Sequence, residues 1–524
     1  MPTELALHLL NLHWTRQHHT FLLTYRPAVI RDLQRSGPYC SNFLLNSIFA
    51  SVSKFSSRVE VRDDPDDPAT AGRRYLRRCD ELLIKDSLLI RPDMCTVIGL
   101  LLLGSTYNAR GETSKGWLYT GYALRMVYDL GLHLDPKETM ENPEDLEIRR
   151  RVFWGAFVCD KLQSLYLGRP VAINLRDSQV SHEFLDLYEE RELFVPSQSH
   201  QMPFEAMPTM PLHSVSTFQQ LCLLSKIMTT IINRFYVVGA TFARAQDSLQ
   251  QVDIALQRWK QNISPELDFQ PWPPVDDSAS PCSQQQQPPN ILVLHGLYYA
   301  LIILLHRPFI SDGHLRHAGM PERSWERCTA AARNITGIAS AYKSSFTLAA
   351  APYVVGYTIY VACTIHVRNA ASQDGRQGRK HSSLLIASLR CLDELSRANP
   401  GVAKPTRIIR RLAEMNNLDL TSGKGFSSSA GISDLSHCSY PHDTHNAGIE
   451  ETPLIEQSMQ GYDMDAILNM FPAKMETEGK ESVIGYGVMS NQHMVVDPLF
   501  GLMDGSAVPF DFESLLMPLD ETFN

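Results

Sequence analysis

The sequence lacks the short motifs that identify the common enzyme classes. Its 524 residues contain no G-x-S-x-G turn, no H-E-x-x-H pair, no phosphate-binding P-loop and no G-x-G-x-x-G segment between a strand and a helix. Each of these motifs places a nucleophile, a metal or a phosphate-binding backbone at a defined point of a fold. The chain is therefore predicted not to be an enzyme.

Closely spaced cysteines are absent as well. The ten cysteines are spread so that no two are closer than 16 positions, and there is no C-x2-C pair. A zinc cluster needs several thiolates within a short segment, so none is predicted in this chain. Isolated cysteines on helical segments are typical of core residues in a reducing compartment. Because the N-terminus lacks an apolar signal segment, we expect an intracellular protein. Because the cysteines are scattered, we expect no bound metal or other cofactor in this chain.

The chain has no excess of positive charge. Its formal net charge is −9, so a broad nucleic-acid-binding surface is not predicted. The charge is also uneven: residues 421–524 hold 16 acidic residues and three lysines, whereas residues 1–420 hold 45 basic and 41 acidic residues. The sequence therefore divides into a nearly neutral body and an acidic tail.

Hydrophobic periodicity stops after Leu420. Residues 421–524 begin with a segment rich in serine and glycine and continue with acids interspersed among bulky apolar residues. This composition predicts a disordered linker and then an acidic-hydrophobic activation tail, whose exposed apolar side chains dock into a partner protein. The apolar residues predicted to make these contacts are Phe500, Leu502, Met503, Phe510, Phe512, Leu515, Leu516 and Phe523. A tail that packs back on the body is the alternative.

Helical periodicity dominates residues 1–420. Segments whose apolar residues recur at helical spacing alternate with short turns that contain proline, aspartate or glycine. Residues 264–290, with QPWPP and SQQQQPP, form a low-complexity connector within this region. Residues 175–211 are predicted to form a polar surface loop. Loops of this length are often functional or disordered, so this one could border a pocket. The sequence predicts an all-α, multi-helical domain over residues 1–420.

Residues 351–367 approach the length of a membrane span. Pro352, Gly356 and several polar residues interrupt this apolar run, and it lacks the flanking charges of an inserted segment. It is therefore predicted to be a buried core helix, and no membrane contact is expected.

The sharpest helix boundaries belong to residues 142–173. Asn142 suits the N-cap position, and Gly168 suits the left-handed position that ends a helix. Pro170 blocks any continuation. The residues from Val152 onward leave almost no polar face. The sequence predicts that this helix is buried on most sides.

Two charged residues, Asp160 and Lys161, interrupt this apolar run. An unpaired buried carboxylate is costly, so Asp160 needs a partner, whereas Lys161 can extend its ammonium group to water. Arg169 just after the helix, or one of the arginines at 149–151, could supply a bidentate contact. We expect an Asp160–Arg169 pair, and a catalytic role for Asp160 is the less favoured interpretation.

The preceding helical segment, residues 113–130, contains Gly116 and Gly121. Glycine inside a helix costs roughly 1 kcal/mol relative to alanine, so both residues predict the close approach of another helix. The short link that follows indicates that this neighbour is the helix beginning at Asn142. Gly131 is predicted to take the left-handed conformation that ends the segment.

These two adjacent segments share a specific order of motifs. The first reads GWLYTGYALRMVYDLGLHLDP and the second reads RRRVFWGAFVCDKLQSLYLGRPVAI. This order resembles the middle regulatory domain of fungal zinc-binuclear-cluster transcription factors. The residues that carry the resemblance are Trp117, Gly121, Gly131, His133, Arg151, Trp154, Asp160, Gly168, Arg169 and Pro170. The resemblance covers residues 1–420 and implies an all-helical domain used for regulation and interaction.

The resemblance implies transcription regulation in a fungus. Family members join this domain to an N-terminal zinc cluster that binds DNA and a C-terminal activation segment, so we expect a nuclear, pathway-specific activator of RNA polymerase II genes of metabolism or secondary metabolism. Its tail would contact the transcription machinery or coactivators, and its helical domain could form a homodimer. DNA contact would come from a missing N-terminal cluster or from a partner protein. The alternatives are a coregulator without a cluster and a metabolite-sensing module.

Overall fold

The computed structural model describes residues 1–137, 140, 142–186, 188–195, 210–237, 239–272, 286–310, 313–315, 321–371 and 375–420. Within these ranges the regular elements are helices, and the only extended pairings are two isolated bridges, Leu134 with Gln179 and Leu193 with Pro211. The predicted all-α fold is confirmed. The acidic tail and the middle of the predicted connector lie outside the described residues.

The first half of the described chain is a series of helices joined by short turns. They are α1 (Thr3–Leu12), α2 (His19–Phe21), α3 (Arg26–Arg35), α4 (Asn42–Val52), α5 (Arg73–Lys85), α6 (Met94–Arg110), α7 (Thr113–Asp129) and α8 (Pro143–Leu167). A π-helical turn, His13–His18, joins α1 to α2.

The second half continues in the same way. Its helices are α9 (Ser214–Phe235), α10 (Phe242–Gln261), α11 (Pro289–His306), α12 (Pro321–Ser345), α13 (Tyr353–Ala371), α14 (Gly375–Ser396) and α15 (Ala403–Met415). Gly239, with φ +85°, lies in the break between α9 and α10.

Two helices organise the packing of these halves. In the first half α6 packs against α4, α7 and α8, and in the second half α13 packs against α11, α12, α14 and α15. Helix α8 connects the halves because it contacts α6 and α7 of the first half and α9 and α13 of the second. Every residue from Val152 to Leu167 is buried, which confirms the predicted burial of this helix on most sides.

Two helical segments are long and apolar enough to cross a membrane. They are Ser214–Phe235 and Pro289–Phe309, and 78% and 94% of their most apolar windows are buried inside the fold. Residues 351–367, which the sequence analysis considered as a span, contain most of α13, and its residues from Tyr353 to Val367 are all buried. Burial of this extent is typical of core helices.

Gly116 allows α7 to approach α6 closely. A Cβ atom at Gly116 would lie 2.5 Å from Asn108 Oδ1 and 2.7 Å from the carbonyl oxygen of Gly104. The predicted close approach is therefore right, but the predicted neighbour, α8, is wrong. Gly121 was also expected to meet another helix, yet a Cβ atom there would have nothing within 4 Å. Five residues rotate a helix by about 140°, so the two glycines face different directions.

Gly116→Ala is expected to lower the free energy of unfolding by about 1–3 kcal/mol, because the added methyl group would overlap atoms of α6. Gly121→Ala on the same helix is the matched control. It should raise the free energy of unfolding by roughly 0.5–1 kcal/mol, because alanine favours the helix and the site is open. Urea unfolding followed by circular dichroism measures both values. Equal effects of the two substitutions would contradict the packing of α7 on α6.

Candidate functional site

Helix α8 begins and ends where the sequence predicts. The side chain of Asn142 accepts a hydrogen bond from the backbone N–H of Glu144 (3.0 Å). At the other end Gly168 has φ +66°, and the backbone N–H of Arg169 donates to the carbonyl oxygen of Ser164 (3.1 Å). This left-handed residue reverses the chain, so that the following residues run back beside α8.

The carboxylate of Asp160 holds the chain that follows this turn. It accepts hydrogen bonds from the backbone N–H of Ala172 (3.0 Å), from the backbone N–H of Ile173 (2.8 Å) and from Lys161 Nζ (2.6 Å). Lys161 Nζ also donates to the carbonyl oxygen of Ile173 (2.5 Å). Both charged side chains are completely buried. They therefore form a closed polar unit with the returning backbone, which offsets part of the cost of burying two charges.

The predicted Asp160–Arg169 pair is wrong, and so is the predicted exposure of Lys161. Burial lowers the pKa of Lys161, although the neighbouring carboxylate opposes that shift. The guanidinium carbon of Arg169 lies 5.2 Å from the ring centre of Trp117 on α7, at cation–π distance. The carbonyl oxygen of Pro170 accepts a hydrogen bond from Ser164 Oγ (3.3 Å). The Gly-Arg-Pro turn is thus tied to both α7 and α8.

Each arginine of the run at the start of α8 has its own partner. Arg149 donates to the carbonyl oxygens of Leu130 (3.2 Å) and Gly131 (2.9 Å) at the end of α7. Gly131 has φ +62°, as predicted for a residue that ends a helix. Arg150 pairs with Asp135 at 2.8 Å. These contacts hold the link between α7 and α8 against the first turns of α8.

Arg151 is the buried centre of an ion cluster. Its guanidinium group donates to Glu147, one turn earlier on α8 (2.5 Å), and to both carboxylate oxygens of Glu189 (2.8 and 2.6 Å). Glu189 also forms a hydrogen bond with Nε2 of His18 (2.8 Å). Arg151, Glu147 and Glu189 are each at most 1% exposed. The cluster joins three separate parts of the chain, namely α8, the loop at residues 175–211 and the π-helical turn.

The pKa of Glu189 reflects this environment. Burial alone would raise it, but the hydrogen bonds from Arg151 and His18 lower it to about 2. The carboxylate is therefore ionised throughout the neutral range and keeps its charge-assisted contacts.

Two further motif residues, Trp154 and His133, contact the loop at residues 175–211. Trp154 Nε1 donates to the carbonyl oxygen of Ser181 (2.9 Å). The carbonyl oxygen of His133 accepts from the backbone N–H of Gln179 (2.8 Å), and the His133 ring lies 5.0 Å from that of Tyr128. These contacts fasten the loop at residues 175–211 to α8 and to the segment that follows α7.

A cavity adjoins the π-helical turn and is called the Lys54 cavity here. Its volume is about 70 Å³, room for roughly five water molecules. It lies among α4, α6, α8 and the start of α13, and the polar residues on its wall include Arg16, Gln17, Lys54, Ser105 and Thr106. None of the described residues that line it is Asp or Glu.

A second, smaller cavity lies next to it, and Arg16 and Thr20 line both. Phe194 from the loop at residues 175–211 lines this second cavity. The sequence-based expectation that this loop borders a pocket is confirmed.

His13 on the π-helical turn lines the Lys54 cavity and is neutral. Its Nδ1 atom bonds to Gln17 Oε1 (3.0 Å) and its Nε2 atom to Thr24 Oγ1 (2.9 Å). Burial lowers its pKa to about 3, so that the ring carries no charge at physiological pH.

Sequence reasoning missed the partners of the buried charges. Glu147 lies four residues before Arg151, a spacing that places the two on one face of a helix and could have indicated the pair. Glu189 and His18 are distant in sequence, at separations of 38 and 133 residues from Arg151, and no local signal connects them. The cavity residue Lys54 likewise has no motif around it.

The structure leaves two predictions untested, namely the contacts of the activation tail and the absence of a bound metal. The eight apolar residues of the activation tail, from Phe500 to Phe523, lie outside the described residues. Across the described ranges no group of three or more His, Cys, Asp or Glu residues could hold a metal ion, and the eight cysteines found there are thiols, seven of them buried. The expectation that the chain binds no metal stays a prediction.

Double-mutant cycles are expected to show an interaction energy between Asp160 and Lys161 and none between Asp160 and Arg169. Asp160→Asn should lower the free energy of unfolding by about 3–5 kcal/mol, because it leaves a buried ammonium group without its counter-charge. The coupling energy between Asp160→Asn and Lys161→Met should be about 0.5–3 kcal/mol, whereas that between Asp160→Asn and Arg169→Met should be close to zero. A coupling to Arg169 as large as that to Lys161 would count against the arrangement described.

Glu189→Gln is expected to remove a pH-dependent part of the stability. The folded-state pKa of about 2 lies below the ordinary value of 4.5, so the stabilisation is present above pH 4.5 and is lost as the pH falls towards 2. The shift corresponds to about 3 kcal/mol. Urea unfolding should show the largest difference between wild type and variant at pH 6 and a much smaller one at pH 3.

Glu192→Gln is the control for this measurement. Glu192 lies on the same loop and pairs with Arg26 (2.8 Å), and both side chains are partly exposed. Its substitution should cost at most about 1 kcal/mol. A loss of stability in Glu189→Gln that does not change with pH would refute the role assigned to its charge.

Comparisons with known proteins show which sequences this chain resembles. Residues 10–268 match the family model described as the fungal specific transcription factor domain. The nitrogen assimilation transcription factor nirA of Emericella nidulans is 28% identical over 405 residues, covering 75% of this chain and 42% of that protein. The nitrogen assimilation transcription factor nit-4 of Neurospora crassa is 26% identical over 432 residues, covering 80% and 37%. An uncharacterized transcriptional regulatory protein of Schizosaccharomyces pombe is 30% identical over 350 residues, covering 64% and 52%.

The chain spans about half the length, or less, of these curated relatives. The matched family region contains the whole of α8, both of its turns and the buried Arg151 cluster. The predicted resemblance is confirmed. Residues 10–268 therefore carry a fungal specific transcription factor domain, and most of the chain is similar to fungal transcription regulators.

Proposed function

We propose that this protein is a pathway-specific transcription activator of a fungus. It acts in the nucleus on RNA polymerase II genes of a metabolic or secondary-metabolite pathway, and it has no catalytic activity. The observation that carries this proposal is the similarity to fungal transcription factors over three quarters of the chain, two of which are named for nitrogen assimilation.

The composition of the tail supports activation rather than repression. Its 16 acidic residues against three lysines keep the interspersed aromatic and aliphatic side chains in water. Those side chains are then available to a groove of a coactivator or of the transcription machinery, where a short helix forms on binding. The eight tail residues named above, Phe500 among them, are the proposed contacts.

The helical domain serves as the regulatory part in this proposal. It is a single packed core around α8, and it could also support a homodimer. The basic and acidic residues of residues 1–420 nearly balance, 45 against 41, which does not favour direct binding to DNA. We propose that sequence-specific DNA contact comes from a zinc cluster outside this sequence or from a partner protein that binds DNA.

Tethering the full chain to an unrelated DNA-binding module tests this function. The fusion is expected to switch on a reporter gene that carries the module's binding site. Replacing the eight apolar tail residues by alanine should reduce reporter output to near the level of the module alone, because the partner groove recognises apolar side chains.

The control variant replaces eight serine, asparagine and glutamine residues of the same tail by alanine. It should leave reporter output close to that of the unmodified fusion. Immunoblots of all fusions establish equal abundance. An unmodified fusion that is abundant and silent, or equal losses in both variants, would argue against an activator with this tail.

A further inference from the structure

We propose that the Lys54 cavity binds a short-chain monocarboxylate. The inference rests on the proposed function only for its regulatory meaning, namely that the ligand is an effector of the regulator. The binding itself is argued from the residues of the cavity.

Lys54 supplies the charge that such a ligand needs. Its ammonium group donates to Asn399 Oδ1 (2.7 Å), which is a neutral partner. Partial burial lowers the pKa of Lys54 to about 8, so most of the group stays protonated at pH 7. Among the described residues that line the cavity no Asp or Glu neutralises it. A ligand carboxylate would provide the missing counter-charge and a charge-assisted hydrogen bond.

The remaining wall suits a small organic anion better than a bare inorganic one. Leu102, Leu162 and Val354 present apolar surface, while the hydroxyl groups of Ser105 and Thr106 line the same space. An apolar body of a few carbon atoms would exclude water from the aliphatic side chains. Space for roughly five water molecules fits a ligand of about that number of heavy atoms.

The backbone around the cavity departs from regular geometry in two places. The turn His13–His18 is π-helical, and residues of this turn line the cavity. Leu22 has φ +41°, a left-handed conformation that non-glycine residues rarely adopt, and it lies between the lining residues Phe21 and Leu23. Such irregularities persist where the surrounding structure requires them, and they concentrate at binding sites.

The position of the cavity explains how a ligand would act on the domain. Lys54 belongs to the first half of the chain, and its partner Asn399 donates to the carbonyl oxygen of Ala351 (3.2 Å) at the approach to α13. Pro352 and Tyr353 complete the wall on that side. A carboxylate held by Lys54 would therefore contact both halves and strengthen their packing, which is a means of shifting a conformational equilibrium.

Isothermal titration calorimetry of the full chain at pH 7 tests the proposal. Sodium butanoate is compared with its neutral isostere butanamide, and sodium chloride keeps the ionic strength of the two titrations equal. Butanoate is expected to bind saturably and at least about tenfold more tightly than butanamide, because only the carboxylate can pair with the ammonium group. The melting temperature of the chain should rise with butanoate and not with butanamide.

Two lysine variants assign the binding to the cavity. Lys54→Met keeps an unbranched side chain that is one atom shorter and removes its charge, so it should lose the preference for butanoate. Lys85→Met, at an exposed position of α5, should bind like the wild type. No saturable heat with butanoate, equal binding of the two compounds, or full retention of the preference in Lys54→Met would overturn the proposal.

The wild-type comparison of acid with amide remains decisive even if Lys54→Met fails to fold. The assay contains no DNA and no transcription machinery. A chain that binds butanoate but leaves the tethered reporter silent would contradict the proposed activator and not the site, and the reverse outcome would contradict only the site.

Discussion

The buried charge of Arg151 is the constraint on which the first half of this fold depends. A guanidinium group that is removed from water must be surrounded by carboxylates of fixed geometry, and here these come from α8 itself and from a loop 38 residues away. His18 extends the cluster to the N-terminal π-helical turn. Three segments that have no sequence proximity are therefore positioned by one ionic centre, since displacing any of them would leave a charge unpaired in the core.

Asp160 and Lys161 apply the same principle at the other end of α8. Their carboxylate and ammonium groups satisfy both each other and the backbone that returns after Gly168. The helix is thus held by one polar cluster in each of its halves and by apolar packing between them. Its surroundings include α6, α7, α9 and α13, so the side chains from Val152 to Leu167 are all buried.

The Lys54 cavity differs from both clusters in one respect. The charges of Arg151 and Lys161 have buried carboxylate partners within hydrogen-bond distance, whereas Lys54 has the neutral amide of Asn399. Because the cavity lies where the two halves meet, a ligand there would affect the contact on which their relative packing depends. The proposed regulator thereby has a physical route by which a small molecule in the helical domain influences the rest of the protein.

Local chemistry along the chain was sufficient for the all-α class, for the ends of α8 at Asn142 and Gly168, and for the burial of its apolar residues. These features follow from capping, φ preference and periodicity, which act over a few neighbouring residues. The same information led to the wrong partner for Asp160, the wrong neighbour for Gly116 and an incorrect role for Gly121. Those outcomes depend on which backbone returns past a side chain and on which face of a helix meets another, and such contacts between distant residues exist only once the chain has packed.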